Sequence, residues 1–444
     1  MGRFYSDEVE KALLLLYFQP DESKYPEAVR LLERAVEKEE PDAFYYLARC
    51  YAWGDGNVED DEEKAIRLSK RGIELGSDLC VLGADRFDGL NGDLAAAMHH
   101  SLADSLEIVK RKALAGDPMA QYAVALFYFW GDIIEIAPPR PGQSIDAYEA
   151  ANAVESHKWY RMAADQGCIP AFRNVFVSLC DGVNGTRQDK RAALAYAEQM
   201  KARVNFDGKL YRNIAGEYEE LGNGRKAAQW YEEGLMRLGN ADCANDLGNL
   251  YACGEAGMPQ NWQLAVKYFQ IGADMGEPYA QCSLALAYTN GNGVPQDDVR
   301  AFQYYRAAAG QGHTKAQGRL AQYYYEGRGG APVDYREAAS WGNRAAAAGD
   351  YNGKLYLGKC YLYGNAGMTN PELAMRLFRE AAESGRCPAA YRELGYMFDK
   401  GIGVSEDVNQ AAGNYKLAAD KGYAPANEDL ARFKKSLLGG WKRI

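Results

Sequence analysis

Residues 280–312 read AQCSLALAYTNGNGVPQDDVRAFQYYRAAAGQG, and residues 390–422 read AYRELGYMFDKGIGVSEDVNQAAGNYKLAADKG. Laid over one another they share a frame. A Leu is followed by Ala or Gly and, three residues later, by an aromatic: Leu284-Ala285-Tyr288 and Leu394-Gly395-Phe398. A glycine-rich loop ending near an Asp comes next, then a second run with small residues at Ala301 and Ala411, and finally an Ala pair before Gly312 or Gly422. Positions i, i+1 and i+4 fall on one face of a helix. There the Leu and the aromatic supply buried area, and the small residue lets a neighbouring helix approach. The loop glycines supply left-handed backbone at the end of the first helix, and the Asp caps the second. Each unit therefore predicts a helix–turn–helix hairpin. One hairpin cannot bury both of its faces, so the hairpins must stack.

The frame extends in both directions. Closing glycines recur at Gly239, Gly276, Gly312, Gly349, Gly385 and Gly422, always 36 or 37 residues apart. The Leu–small–aromatic signature returns at Leu247, Leu320 and Leu357, and earlier at Leu47 and Val124. Toward the N-terminus the spacing loosens. Between Gly116 and Gly167 the excess falls in the proline-containing stretch 132–150, read as a loop insertion. Residues 208–239 read as a tight tetratricopeptide-type hairpin. The expected organisation is a degenerate hairpin over 1–40, irregular repeats over 41–240, regular repeats over 241–423, and a capping helix and tail over 424–444. The expected fold is all-α, a right-handed α-solenoid of about ten or eleven hairpins with no sheet.

Composition narrows the function. Hydrophobic residues make up 47% and charged residues 25%, as in ordinary folded domains. The net charge of −10 argues against a nucleic-acid partner, whose phosphates need clustered cations. No apolar run is long enough to span a bilayer, so membrane insertion is not expected. The start turns acidic at once and lacks a small-residue cleavage site, which argues against a signal peptide and for a cytoplasmic location. The nine cysteines form no CxxC pair and read as reduced structural thiols. No His stands at helical spacing from another His or a Cys, so no metal site is expected. Gly-x-Gly occurs at Gly291/Gly293, Gly327/Gly329 and Gly401/Gly403, but these glycines follow helices and no phosphate-binding motif surrounds them. Neither a nucleophile elbow nor a zinc-protease motif is present. The expectation is a non-enzymatic protein with no catalytic residues and no cofactor.

The complete unit, with its AxxxL[AG]xxYxxGxGVxxD opening and its AxxYxxAAxxG close, resembles the Sel-one-like repeat, a branch of the tetratricopeptide-type solenoids. The resemblance covers most of 41–423. It weakens in 77–116, where Arg86 replaces the aromatic, and in 169–207, where Leu179 does. It implies a scaffold, often an adaptor or regulator, that binds another protein or an extended peptide. In such solenoids the first helices line the concave surface. The groove candidates are then the positions between the packing residues: Tyr45, Arg49, Trp53, Tyr122, Leu126, Phe129 and Trp130, followed by Tyr279, Gln322, Tyr325, Lys359, Tyr363, Arg392 and Tyr396. Aromatic and Arg side chains are the usual interface anchors. Self-association into a homo-oligomer stays open as the alternative use of such a scaffold.

Overall fold

The computed structural model describes residues 4–19, 22–54, 56, 58–83, 99–183, 185–367, 369–435 and 440–444. Arg86 lies outside them. The architecture is an all-α solenoid of helix–turn–helix repeats, and the chain divides into two compact units, Met1–Leu221 and Gly222–Ile444. The division falls within the hairpin read over 208–239, one helix before the change of regularity seen in the sequence.

In the Gly222–Ile444 unit the repeats are nearly uniform. Helix pairs Ala241–Cys253 with Trp262–Asp274, Pro278–Asn290 with Asp298–Gly310, Thr314–Glu326 with Tyr335–Ala347, Tyr351–Tyr363 with Pro371–Glu383, and Pro388–Lys400 with Val408–Asp420 each consist of two 13-residue helices. Their length is set by chemistry at both ends. Asn261, Asp297, Asp334, Asn370 and Asp407 accept hydrogen bonds from the first free amides of the second helices. Leu284, Ala285, Leu320 and Ala321 are fully buried, and so are Ala301 and Ala308 of the facing second helix. Each fully buried Leu contributes roughly 1.5–3 kcal/mol.

The small position of the signature has a steric cause. A β-carbon on Gly358 would sit 2.6 Å from a ring carbon of Phe378, and on Gly395 2.8 Å from one of Tyr415. Where the sequence has Ala321 instead, the aligned second-helix position is Gly342. Glycine on one helix thus accommodates an aromatic ring on its partner.

The Met1–Leu221 unit is less regular. Its hairpins pair Pro41–Trp53 with Glu62–Glu74, Pro118–Phe129 with Ile145–Asp165, and Ile169–Asp181 with Lys190–Met200. The insertion differs from the expected loop. Only 130–144 connect the helices, including a short turn Asp132–Glu135, and residues 145–150 are helical, which makes Ile145–Asp165 a 21-residue helix. Ser144 caps it through Ala147 N, so the helix begins before the insertion ends.

Two expectations at the C-terminus are corrected. The capping helix is confined to Pro425–Leu430, and a two-stranded antiparallel sheet follows, with Phe433–Lys435 paired to Trp441–Arg443. Phe433 is buried against Tyr415, so the hairpin closes the exposed end of the last repeat where a further helix was expected.

Candidate functional site

In the Met1–Leu221 unit the groove candidates converge on Arg49. Its guanidinium lies 4.9 Å from the Trp53 ring centroid, 5.6 Å from Tyr122, 6.0 Å from Tyr45 and 5.9 Å from Tyr17. Cation–π attraction acts over this range. Arg49 Nε also donates to the Tyr17 hydroxyl at 3.3 Å. From Tyr122 the rings run on through the buried Tyr160 at 5.9 Å to Phe129 at 6.2 Å, and from Phe129 to Trp130 at 5.1 Å. The result is one aromatic strip from Trp53 to Trp130. Trp53 closes its first helix and Trp130 caps the end of its own, just after Phe129, and each is followed by a left-handed glycine, Gly54 or Gly131, that turns the chain away beside the ring.

Accessibility separates these candidates. Trp53, Phe129 and Trp130 are 45%, 38% and 62% exposed. Tyr45, Arg49, Tyr122 and Leu126 are buried, which corrects their reading as open groove positions. What buries them in part is a segment that sequence reasoning did not assign to the site. The first helix, Asp7–Leu13, widens into a π-turn over Leu14–Phe18. This segment packs against several first helices at once. Tyr17 meets Arg49, and the Phe18 carbonyl accepts from Asn205 Nδ2 at 3.0 Å. Tyr5 donates to Asp117 at 2.7 Å and accepts from Tyr46 at 2.9 Å. Burial, before any neighbouring charge, raises the Tyr5, Tyr46 and Asp117 pKa values. Between this segment and the start of Pro118–Phe129 lies a cavity of about 450 Å³, lined by Phe4, Leu13, Phe18 and Met119 among others. The seat is therefore polar and tight at Tyr5 but loosely filled beside it. The 132–150 insertion leaves Trp130 exposed.

In the Gly222–Ile444 unit the candidates form a polar network. Glu393, buried at the centre, accepts from Tyr363 at 2.8 Å and lies 3.6 Å from Lys359 and 3.7 Å from Arg392. Arg392 reaches Asp429 at 2.7 Å. Tyr363 meets Tyr396 at 6.1 Å, and Lys359 lies over the Tyr325 and Tyr356 rings. Gln322 joins through Glu326, which accepts from the Tyr356 hydroxyl. Tyr279 stands apart, 59% exposed and edge-on to His313. Glu326, Tyr356 and Glu393 were missed. Tyr356 and Glu393 sit directly beside the signature residues Leu357 and Leu394, which were assigned to packing.

Among the described residues no group of three or more His, Cys, Asp or Glu side chains is arranged to hold a metal ion, and no helix is long and apolar enough to cross a membrane. Burial holds the Cys360 and Cys387 thiols at about 11, values that suit packing rather than nucleophilic chemistry.

The sequence profile described as Sel1 repeat matches nine segments: 41–77, 118–137, 145–168, 174–203, 241–277, 278–313, 314–350, 353–385 and 388–423. The chain belongs to the Sel1 repeat family. Solved relatives share the fold. The crystal structure of c5321, a protective antigen of uropathogenic Escherichia coli displaying an SLR fold, is 25% identical, has a TM-score of 0.57, and covers 90% of this chain and 81% of its own. A Sel1 repeat protein from Oxalobacter formigenes is 24% identical with a TM-score of 0.54, covering 73% of this chain and 90% of its own. An uncharacterized protein of Neisseria meningitidis serogroup B, NMB1327, is 33% identical over 99 residues, which amount to 22% of this chain and 20% of that relative. As a Sel1 repeat protein, the chain is a helical repeat scaffold of the kind that generally serves protein interaction.

Proposed function

We propose that this Sel1 repeat protein is a non-catalytic adaptor that holds a segment of another protein in the concave groove of its Met1–Leu221 unit. The observation that carries this reading is that the first-helix surface there already holds a stretch of polypeptide. Residues 5–18 lie on it through stacking at Arg49 and hydrogen bonds at Asp117 and Asn205. A surface that seats one amphipathic segment of its own chain has the chemistry to seat another. Beside that segment the exposed faces of Trp53, Phe129 and Trp130 offer large, rigid apolar anchors. The reading also places the chain in a reducing, cytoplasmic compartment, since its buried thiols pack as small apolar groups.

Native affinity capture with the full chain as bait, run beside Trp53→Ala/Trp130→Ala, tests the proposal. A partner enriched by the wild type should fall by about ten-fold or more with the double variant. The double variant should stay folded with a modestly lower melting temperature, because Trp130 is largely exposed while Trp53 is half-buried over Arg49. Equal capture by the two baits would remove the strip as the binding surface.

A further inference from the structure

Among the described residues, the Gly222–Ile444 unit has one half-buried arginine without an ion pair. Of the arginines in this unit that are not fully exposed, Arg328 is ion-paired with Asp298 and Arg392 with Asp429. Arg319, half-buried on the first helix Thr314–Glu326, pairs with no carboxylate among the described residues. Among the described residues, its hydrogen bond runs from an Nη to Gln322 Oε1 at 3.1 Å. A guanidinium carries five N–H donors, so most of its capacity is unused. One turn before it, Lys315 is exposed and also without an ion pair among the described residues.

The acidic groups nearby are committed elsewhere. Asp350 lies within electrostatic range of both cations, but its carboxylate caps Gly353 N at 2.8 Å and is packed against Gly318. Glu326 is held by the Tyr356 hydroxyl and Gln322. Glu393 is enclosed by Lys359, Tyr363 and Arg392. Each carboxylate therefore has a structural task, and among the described residues none forms a close ion pair with Arg319. In a chain of net charge −10 this is not a shortage of acids.

We propose that Arg319 and Lys315 form a docking point for an extended, acidic segment of a partner protein, with Asp or Glu at every second position. Four residues of helix separate the two cations by about 6 Å along its axis. Alternate side chains of an extended strand point the same way at about 6.5 Å. Two carboxylates of such a strand thus match the two cations, and Arg319 takes its carboxylate through paired N–H donors. This site belongs to the Gly222–Ile444 unit, and the proposal does not rest on the aromatic strip of the Met1–Leu221 unit.

The test uses the full-length chain and fluorescence anisotropy. The probes are short labelled peptides with Asp at every second position and Leu, Tyr or Ser between, compared with the same peptides carrying Asn. The wild type should bind an Asp peptide about ten-fold or more tightly than its Asn counterpart. That binding should weaken as salt screens it. Arg319→Gln should remove the preference, Arg319→Lys should keep part of it, and Arg386→Gln, at an exposed arginine, should leave it unchanged. If Arg319→Gln lowers the melting temperature, Lys315→Gln at its exposed position decides the matter by the same loss of preference. Trp53→Ala/Trp130→Ala should bind the Asp peptide like the wild type. The proposal is overturned if Asp and Asn peptides bind equally, if Arg319→Gln or a folded Lys315→Gln retains the full preference, or if Arg386→Gln lowers it as much. Tighter binding of a single-stranded oligonucleotide than of any Asp peptide would also overturn it.

Discussion

His313 shows how much one residue does in this fold. It stands at the start of helix Thr314–Glu326, and its Nδ1 accepts from Ala316 N at 3.2 Å, a role that only the unprotonated ring can fill. Burial, with Lys315 nearby, lowers its pKa below the ordinary 6.5. A lowered folded pKa gives a contribution that is complete above the unfolded value and is lost as pH falls through the folded one. His157, lowered by burial and Arg161, acts in the same direction. The melting temperature should therefore fall on going from about pH 7.5 to about pH 5.5. His313→Asn keeps a good cap without a titrating group and should flatten part of that slope. An identical slope in the variant would contradict this account of the cap. At this scale the sequence was least informative. Nothing about His313 or Arg49 in a periodic pattern announces which atoms they meet. The hydrogen bond from Asn205 to Phe18 spans 187 residues and leaves no trace in the repeat frame.

At the scale of helices the frame was legible because it is steric. Leu, small residue and aromatic recur since each repeat solves the same packing problem, and the Gly358–Phe378 pair shows the tolerance. Gly358→Ala would drive a methyl group into three ring atoms at 2.6 to 3.1 Å and should cost about 1–3 kcal/mol. Phe378→Leu in the same chain should relieve part of that, so the two changes should be non-additive. Leu357→Ala, at the adjacent buried position, should cost about 2–5 kcal/mol with no such relief. Denaturant unfolding of the three variants and the double mutant checks these values, and additive losses for Gly358 and Phe378 would show that the ring is not the obstacle. Elements outside the frame were read less well. The apolar run Leu13–Phe18 has no counterpart in other repeats, so its place over the first helices could not be aligned. The closing strands were read as helix and tail, although Gly439-Gly440 between two basic stretches is a turn signal.

On the scale of the whole molecule, the groove candidates could not be ranked from the repeat pattern, because burial is decided by neighbours. Seven candidates were named in the Met1–Leu221 unit. Its own first helix helps to cover Arg49, while Trp53, Phe129 and Trp130 remain exposed. The central claim is that a partner meets the chain at this exposed end of the strip. Site-specific photocrosslinking tests it most directly, with p-benzoylphenylalanine placed in the full-length chain at Trp130, or, for comparison, at Leu114, which is 69% exposed on the second helix Leu102–Leu114. The account predicts a covalent adduct with a different protein from position 130 and none from position 114. Adducts from position 114 alone, or an adduct from position 130 consisting only of a second copy of the chain, would contradict it.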